Sequence, residues 1–335
     1  MFLYLRVLNL IFYIMNKSYV VGIDMGGTNT VFGIVDARGN IVSCDSISTT
    51  FYNTGESYVE ALGSGVNNLI EKSGLRDEIR GVGMGAPNGN MYKGTIEKAA
   101  NISWAKSVVV PVAQMLSDKV DLPVKLTNDA NAAALGEMIY GAAKGMNDFI
   151  IITLGTGLGS GIVANGKLII GHDGYAGELG HVLTVPFNGR TCGCGRLGCL
   201  ESYASATGVA RTAREFLEQQ PEKESLLRAV NNRPITSKDV FLAAQKGDEL
   251  AIEVFDYTGR ILGRAFADFI AFSSPEAIIL FGGLAHAGDF LMKPLQEELD
   301  NRVLSIFKGK TKILISQLPD ADAAVLGASA LAWEL

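Results

Sequence analysis

A pattern that occurs near the start of the chain and again in its middle constrains the fold more than any other feature. Each copy is an apolar strand, a glycine loop carrying Thr28 or Thr156, the triplet Gly-Ile-Val, a glycine turn and a second apolar strand. Two such copies predict two related domains, each with a glycine loop whose backbone N–H groups suit a phosphate. Chance similarity between glycine hairpins is an alternative that the repeat by itself leaves open.

Length and composition suit two folded domains. The chain has 335 residues, of which 48% are hydrophobic and 19% charged, and this length fits two domains of ordinary size. The high apolar fraction and the lack of charged blocks exclude a disordered or coiled-coil protein. The net charge is −6, so nothing draws the chain as a whole toward nucleic acid or an anionic membrane.

Predicted strands and helices alternate along the chain. Ser57 and Glu60 have the spacing of a capping box and predict the start of a helix. Strands are predicted at residues 19–24, 31–35, 41–43, 80–86, 124–127, 150–154, 277–281 and 312–316, and helices at residues 129–140, 208–219, 237–245, 249–272 and 322–333. This alternation predicts an α/β fold that binds ligands at the carboxyl ends of its strands.

Residues 1–15 are a short apolar run that permits three interpretations: a signal peptide, a membrane span, or a leader ahead of the true start. The run lacks a small-residue cleavage site and is shorter than the roughly 20 apolar residues of a span. The four cysteines also form a poor disulfide framework. We therefore expect Met15 to be the start and the protein to be cytoplasmic.

The first glycine loop follows an acidic strand end. Gly26 and Gly27 allow backbone N–H groups to approach an anion, and Thr28 and Asn29 add side-chain donors. Asp24 is placed to hold a Mg²⁺ ion that accompanies phosphates. A glycine turn without a ligand is the other interpretation of this segment.

The second glycine loop, residues 155–161, carries Thr156 and Gly157. It is no dinucleotide fingerprint, because a hairpin strand follows it instead of a helix, and it lacks the Gly-Lys-Ser/Thr of a P-loop. One phosphate loop in each domain favours a nucleoside triphosphate. Gly282 and Gly283, after another apolar strand, are candidates to approach its nucleoside.

Asp129 lies between a predicted strand and a predicted helix, where a carboxylate is suited to act as a general base. Phosphorylation of an alcohol needs a group that accepts the hydroxyl proton as the oxygen attacks phosphorus. A role as the N-cap of the following helix explains Asp129 equally well on local grounds.

His181, Cys192, Cys194 and Cys199 form the most specific motif of the chain. One imidazole and three thiolates are a complete tetrahedral set for a structural Zn²⁺ ion, with no open position for Lewis-acid chemistry. Buried thiols or a strained disulfide are the alternatives. Glu178 and Glu201 flank this motif, and acidic side chains there are able to accept hydrogen bonds from sugar hydroxyls.

Together these motifs resemble the ROK family of bacterial sugar kinases and sugar-responsive repressors, and within it the glucokinase-like branch. The resemblance extends from about Tyr19 nearly to the end of the chain. It rests on five segments in family order: residues 24–28, 126–137, 154–161, 178–181 with 192–201, and 281–285.

The resemblance implies an actin-like ATPase (ribonuclease H-like) fold, with two α/β domains around a cleft. Residues 16–128 plus 318–335 are then the N-terminal domain, and residues 129–317 are the larger C-terminal domain with the zinc loop. The implied activity is ATP-dependent phosphorylation of a hexose, usually at the 6-hydroxyl, by an enzyme that is often a homodimer. The expected cofactors are ATP, Mg²⁺ and structural Zn²⁺, and no nucleic acid or membrane partner is expected.

The resemblance also assigns roles to individual residues. Asp129 matches the catalytic base. The matches to sugar-hydroxyl contacts are Asn101, Asn128, Asp129, Glu178, His181 and Glu201. The matches to nucleotide contacts are Gly26, Gly27, Thr28, Thr156, Gly157 and Gly283. His181 then uses one ring nitrogen for zinc and the other for sugar, which two distinct nitrogens permit.

Several alternatives stay open at this point. The sugar is glucose, N-acetylmannosamine, N-acetylglucosamine, fructose or allose, and residues 101–104 resemble a glucokinase segment near the sugar. Polyphosphate is an alternative phosphoryl donor. A sugar-responsive repressor is disfavoured, because no basic recognition helix is visible before Tyr19 and both phosphate loops are intact. A chaperone or cytoskeletal ATPase has no need of the His/Cys motif.

Overall fold

The computed structural model describes residues 17–319 and 322–335, so the predicted leader over residues 1–15 lies outside the described residues. The chain divides into two compact units. Within the described residues, the first unit comprises residues 17–145, 170–176 and 317–335, and the second comprises residues 146–169 and 177–316.

The described residues form thirteen strands. They are β1 (Tyr19–Met25), β2 (Asn29–Asp36), β3 (Ile41–Ser48), β4 (Ile79–Gly85), β5 (Gly89–Asn90), β6 (Thr95–Glu97), β7 (Val109–Val110), β8 (Val124–Thr127), β9 (Phe149–Leu154), β10 (Leu158–Ala164), β11 (Lys167–Leu168), β12 (Ala277–Phe281) and β13 (Lys312–Ile315).

Nine α-helices lie in the same described part of the chain. They are α1 (Gly55–Ser73), α2 (Val112–Val120), α3 (Asp129–Tyr140), α4 (Glu201–Ala204), α5 (Ala206–Gln219), α6 (Ser237–Gln245), α7 (Glu249–Ser273), α8 (Asp289–Arg302) and α9 (Ala323–Ala332). Strands and helices alternate much as expected, and the predicted α/β class is confirmed.

The two units contain five-stranded sheets of the same design. The first has the order β3-β2-β1-β4-β8 and the second the order β11-β10-β9-β12-β13. In each sheet an antiparallel meander supplies three strands, and two further strands are added in parallel to the first strand of the meander. The repeated sequence pattern therefore marks a repeated topology rather than a chance likeness of hairpins.

Close contact between helix α9 and the first sheet depends on glycine. A Cβ atom on Gly22 of β1 would lie 2.2 Å from the backbone oxygen of Val325, and one on Gly83 of β4 would lie 2.0 Å from that of Ala328. Atoms never approach so closely, so only glycine lets the helix backbone rest on these strands. Helix α3 packs against α9 in the same manner at Gly136, where a Cβ would lie 2.8 Å from Gly327.

These contacts place the boundary of the first unit later than residue 128. Residues 129–145 belong to the first unit rather than the second, because α3 packs on α9 and Trp333 donates a 2.5 Å hydrogen bond to the hydroxyl of Tyr140. Residues 170–176 also belong to it, since Asn90 Nδ2 donates to the carbonyl of Asp173 at 2.8 Å. Contacts between distant segments decide this division.

The capping box predicted at Ser57 and Glu60 is wrong. Helix α1 begins at Gly55, and Thr54 is its N-cap, with a side chain that accepts the N–H of Ser57. Ser57 stands at the third helical position and its hydroxyl receives the N–H of Thr54. Serine thus takes the reciprocal role that glutamate usually plays, one turn earlier than expected.

Candidate functional site

Two carboxylates lie together in the first unit. Asp24 of β1 pairs with Gly85 of β4, which in turn pairs with Thr127 at the end of β8. Asp129 follows two residues later, and a Cβ on Gly85 would lie 3.8 Å from its Cα atom. The parallel strands therefore end at one edge of the sheet and bring Asp24 and Asp129 side by side.

The acid pair has raised pKa values. Loss of solvent raises the pKa of Asp24 to about 6, and the nearby charge of Asp129 adds to the shift. Surrounding protein raises the pKa of Asp129 as well, although its side chain is reached by solvent and accepts the N–H of Ala130 at 2.9 Å. A cation near Asp24 would relieve the repulsion between the two carboxylates.

The role of N-cap belongs to Asn128 rather than to Asp129. The Asn128 side chain accepts the N–H of Asn131 at 2.7 Å, and Asp129 is the first residue of α3. The local explanation of Asp129 as a cap is therefore wrong. Its carboxylate instead stands at a helix N-terminus, where the unpaired N–H groups favour negative charge.

The glycine loop between β1 and β2 closes tightly. Gly26 donates its N–H to the carbonyl of Asn29 at 2.9 Å, and a Cβ on Gly26 would collide with that same oxygen. Thr28 and Asn29 are exposed. Asn101 lies against the loop, since a Cβ on Gly27 would lie 3.5 Å from its Nδ2 atom.

In the second unit, the loop between β9 and β10 is held by the start of α5. Gly155 donates to the carbonyl of Gly157 at 3.1 Å. The N–H of Ala206 donates to the Gly155 carbonyl and the hydroxyl of Thr207 to that of Thr156, both at 2.9 Å. Helix α5 begins at Ala206, so its amino end adjoins this loop, an arrangement that favours bound anions.

A cavity of about 330 Å³ opens beside this loop. Its lining includes Thr156, Lys238, Phe241, Gly283 and His286. The turn after β12 requires glycine at position 282. Gly282 has a φ of +100°, and a Cβ atom there would lie 2.9 Å from the carbonyl oxygen of Leu154. The structure therefore brings the second glycine loop and the predicted nucleoside turn to one cavity within the second unit.

Sequence reasoning missed Lys238, Phe241 and His286 in this cavity. Lys238 lies in the first turn of α6 and His286 on a short 3₁₀ turn after Gly283. The one available signal was the position of Ser237 and Lys238 at the start of a predicted helix. Nothing local indicates that this helix end lies beside the turn after β12.

The predicted metal ligands converge. The ligand atoms of His181, Cys192, Cys194 and Cys199 all lie within 4.8 Å of one another. His181 Nδ1 is 3.7 Å from Cys192 Sγ, and Cys194 Sγ is 3.7 Å from Cys199 Sγ. A tetrahedral zinc site with Zn–S bonds of about 2.3 Å separates two sulfurs by about 3.8 Å. The donor set and its spacing therefore fit zinc. The three cysteines of the cluster are free thiols, as is Cys44 elsewhere in the chain.

A buried serine holds the segment that carries Glu178 and His181. Ser160 of β10 donates its hydroxyl to the Gly177 carbonyl and accepts the N–H of Leu179 at 3.0 Å. His181 turns Nδ1 toward the cysteines, and its Nε2 lies 4.0 Å from a carboxylate oxygen of Glu178. One ring nitrogen thus faces the cysteines and the other faces Glu178.

Arg190 is a further residue of the cysteine loop that sequence reasoning missed. It is 8% exposed, and its guanidinium forms an ion pair with Glu215 and lies 4.4 Å above the ring centre of Tyr203. Although burial opposes the change, Arg190 lowers the pKa of Glu215. The loop is therefore anchored to α4 and α5 by an arginine as well as by the cysteine cluster.

Within residues 17–319 and 322–335, no helix combines the length and the apolar character needed to cross a bilayer.

A family model described as "ROK family" matches residues 20–334. The glucokinase of Halalkalibacterium halodurans is 37% identical over 317 residues, covering 93% of this chain and 94% of the relative. The solved structure of a ROK family glucokinase from Streptomyces griseus, in complex with glucose and AMPPNP, has 34% identity and a TM-score of 0.77. It covers 95% of this chain and 100% of its own.

Repressors are also among the similar proteins. The xylose repressor of Caldicellulosiruptor bescii is 29% identical over 315 residues, which is 93% of this chain but 77% of the repressor. The two glucokinases described above therefore match with higher identity than this repressor and over nearly their whole length.

The raised pKa of Asp24 predicts a pH-dependent stability. Because the folded state holds the Asp24 proton up to about pH 6, against 3.8 for an ordinary aspartate, the wild type loses stability as pH rises through that window. Asp24→Asn should therefore exceed the wild type in free energy of unfolding by up to about 3 kcal/mol at pH 7.5, with little difference at pH 4. Urea denaturation at both pH values measures this. Asp77→Asn, at an exposed site, is the control, and an equal gain for Asp24→Asn at both pH values would contradict the prediction.

Proposed function

The chain belongs to the ROK family, and from this premise we propose that it is an ATP-dependent glucokinase, which phosphorylates the 6-hydroxyl of glucose. It is a sugar kinase with the actin-like ATPase fold. The observation that carries this conclusion is the likeness, over 95% of the chain, to a glucokinase solved with glucose and AMPPNP. The intact phosphate loops and Asp129 supply what a kinase needs beyond sugar binding.

Asp129 is the proposed general base. As the 6-oxygen of glucose forms its bond to the γ-phosphorus, the hydroxyl proton passes to the Asp129 carboxylate and the bond from phosphorus to the β-phosphate oxygen breaks, releasing ADP. The N-terminal position in α3 and the N–H of Ala130 stabilise the charged carboxylate before the reaction. Its raised pKa makes it a stronger base, since proton affinity increases with pKa.

Asp24 is the proposed Mg²⁺ ligand. Carboxylate oxygens suit this hard cation, and Asp24 lies next to the Gly26–Thr28 loop that is proposed to bind phosphate. The ion would neutralise charge on the phosphates. Burial raises the pKa of Asp24 to about 6, and a bound cation would lower it again by stabilising the charged carboxylate.

His181, Cys192, Cys194 and Cys199 are proposed to hold a structural zinc ion. Their complete donor set and spacing leave no position for substrate on the metal. Zinc would fix the loop that carries His181 and the start of α4 that carries Glu201, and so limit the movement of both side chains proposed to bind sugar hydroxyls.

We further propose a homodimer, as the family resemblance implies. The second unit exposes Phe272 and Leu183 beside an apolar groove of about 330 Å³. An exposed apolar surface of this kind is suited to be covered by a second copy of the chain. Light scattering on the purified protein gives the mass that tests it.

Substrate preference is tested by a coupled kinase assay with five sugars: glucose, N-acetylmannosamine, N-acetylglucosamine, fructose and allose. Each sugar is assayed with ATP and with polyphosphate. Glucose with ATP should give the highest kcat/KM. A higher value for an N-acetyl amino sugar would move the proposal to another hexose, and no turnover with any pair would contradict a kinase.

Asp129→Asn should lower kcat about 10³-fold or more, because asparagine keeps the shape of the side chain but cannot accept the proton. Glucose binding, followed by calorimetry, should persist. Asp118→Asn, on the exposed surface of α2, serves as the control. Near-wild-type turnover of Asp129→Asn would remove Asp129 from the role of base.

The purified protein should contain about one zinc ion per chain, measured by elemental analysis. Cys194→Ser should lower that content, weaken glucose binding and reduce the free energy of unfolding, because the metal organises the loop. Cys44→Ser is a matched control, since Cys44 is an exposed thiol on β3 outside the cluster. A native protein that is fully active without metal would refute the zinc assignment.

A further inference from the structure

Glu201, which the family resemblance assigns to the sugar, also contacts the second phosphate loop. Its Oε2 atom accepts the N–H of Leu158 at 2.9 Å, at the point where the loop enters β10. Its Oε1 atom lies 3.5 Å from Cys192 Sγ. A single carboxylate in the second unit therefore touches both the phosphate loop and the cysteine cluster.

A side chain at position 157 would have to displace the Glu201 carboxylate from this contact. A Cβ atom on Gly157 would lie 2.5 Å from Glu201 Oε2. Glycine at position 157 therefore makes space for the Glu201 carboxylate in addition to any bound phosphate. Any other side chain would push Glu201 out of its hydrogen bond with Leu158.

The segment from Glu201 to Thr207 holds the loop from both ends. Glu201 receives the N–H of Leu158, while Ala206 and Thr207 donate to the carbonyls of Gly155 and Thr156. Cys199 lies two residues before Glu201. The loop geometry is consequently tied to the same short stretch of chain that joins the cysteine cluster to α5.

We propose that Glu201 is a positioning residue that couples sugar binding to the conformation of the phosphate loop. This inference rests on the proposed kinase function, in which Glu201 also accepts a sugar hydroxyl. Its carboxylate then accepts hydrogen bonds from two donors, a sugar hydroxyl and the N–H of Leu158. Formation of the hydrogen bond to the sugar therefore alters the strength and direction of the hydrogen bond to Leu158. By linkage, the effect on nucleotide affinity and on sugar affinity is reciprocal.

The test measures binding of each ligand alone by calorimetry. Mg²⁺-AMPPNP is titrated without glucose into wild type, Glu201→Ala, Glu201→Gln and Glu178→Gln. Glu201→Ala should weaken AMPPNP binding about fivefold or more, the scale of one lost hydrogen bond. Glu201→Gln should stay within about twofold, because its amide oxygen still accepts the Leu158 N–H.

Glu178→Gln is the matched control, since Glu178 is also assigned to the sugar but faces His181 at 4.0 Å. It should weaken glucose binding and leave AMPPNP binding unchanged. An AMPPNP affinity of Glu201→Ala equal to that of the wild type would overturn the coupling and leave the kinase function intact. A wild type that binds neither glucose nor AMPPNP would instead contradict the proposed function.

Gly157→Ala tests the coupling from the loop to the sugar, whereas Glu201→Ala tests the effect of the sugar-binding residue on the nucleotide. It also allows the proposal to be refuted if Glu201→Ala does not fold. The added Cβ displaces the Glu201 carboxylate, so glucose affinity in the absence of nucleotide should fall about fivefold or more. Zinc content and circular dichroism verify that each variant keeps its fold. Unchanged glucose affinity in a folded Gly157→Ala protein would overturn the proposal.

Discussion

The close contact of helix α9 with strands β1 and β4 is the constraint on which the first unit depends. Gly22 and Gly83 let the helix backbone rest directly on the sheet, where any Cβ would collide with the carbonyls of Val325 and Ala328. Helix α3 packs on α9 through a third glycine, Gly136. The strand that carries Asp24 and the helix that carries Asp129 are therefore both set against one helix, and their carboxylates meet at one edge of the sheet. The raised pKa of Asp24 is the electrostatic consequence of this packing.

The second unit has a sheet of the same design, but different contacts hold its glycine loop. A glycine loop again joins the first two strands of the meander, but here the loop is held by Glu201 and by the start of α5, whereas the loop of the first unit closes through the hydrogen bond from Gly26 to Asn29. The cysteine loop lies beside these residues, anchored by Arg190 on one side and containing the convergent His/Cys cluster on the other. A zinc ion at this place would stabilise the geometry of a binding surface, and its closed donor set explains why we assign it no part in phosphoryl transfer.

Much of the candidate site followed from local sequence. Glycine loops after apolar strands, a carboxylate between strand and helix, and a His/Cys motif each have a physical reason that spans only a few residues. The errors arose where a choice depends on the exact residue at which a helix begins: Thr54 caps α1, one turn before Ser57, and Asn128 caps α3, one residue before Asp129. The domain boundary differed because α3 packs on a helix almost 200 residues later in the chain.

By itself, the sequence determined the α/β class and the duplicated strand-loop-strand design, and it identified the candidate metal ligands and the candidate base, because periodicity, glycine and chemical type express these locally. Only the tertiary structure decided which of these groups share a surface. It brought Asp24 beside Asp129, placed Lys238 and His286 in the cavity next to Gly283, and gave Glu201 a contact with the second glycine loop. Such contacts join residues far apart in the chain, and they depend on how closely backbones pack, which no short stretch of sequence specifies.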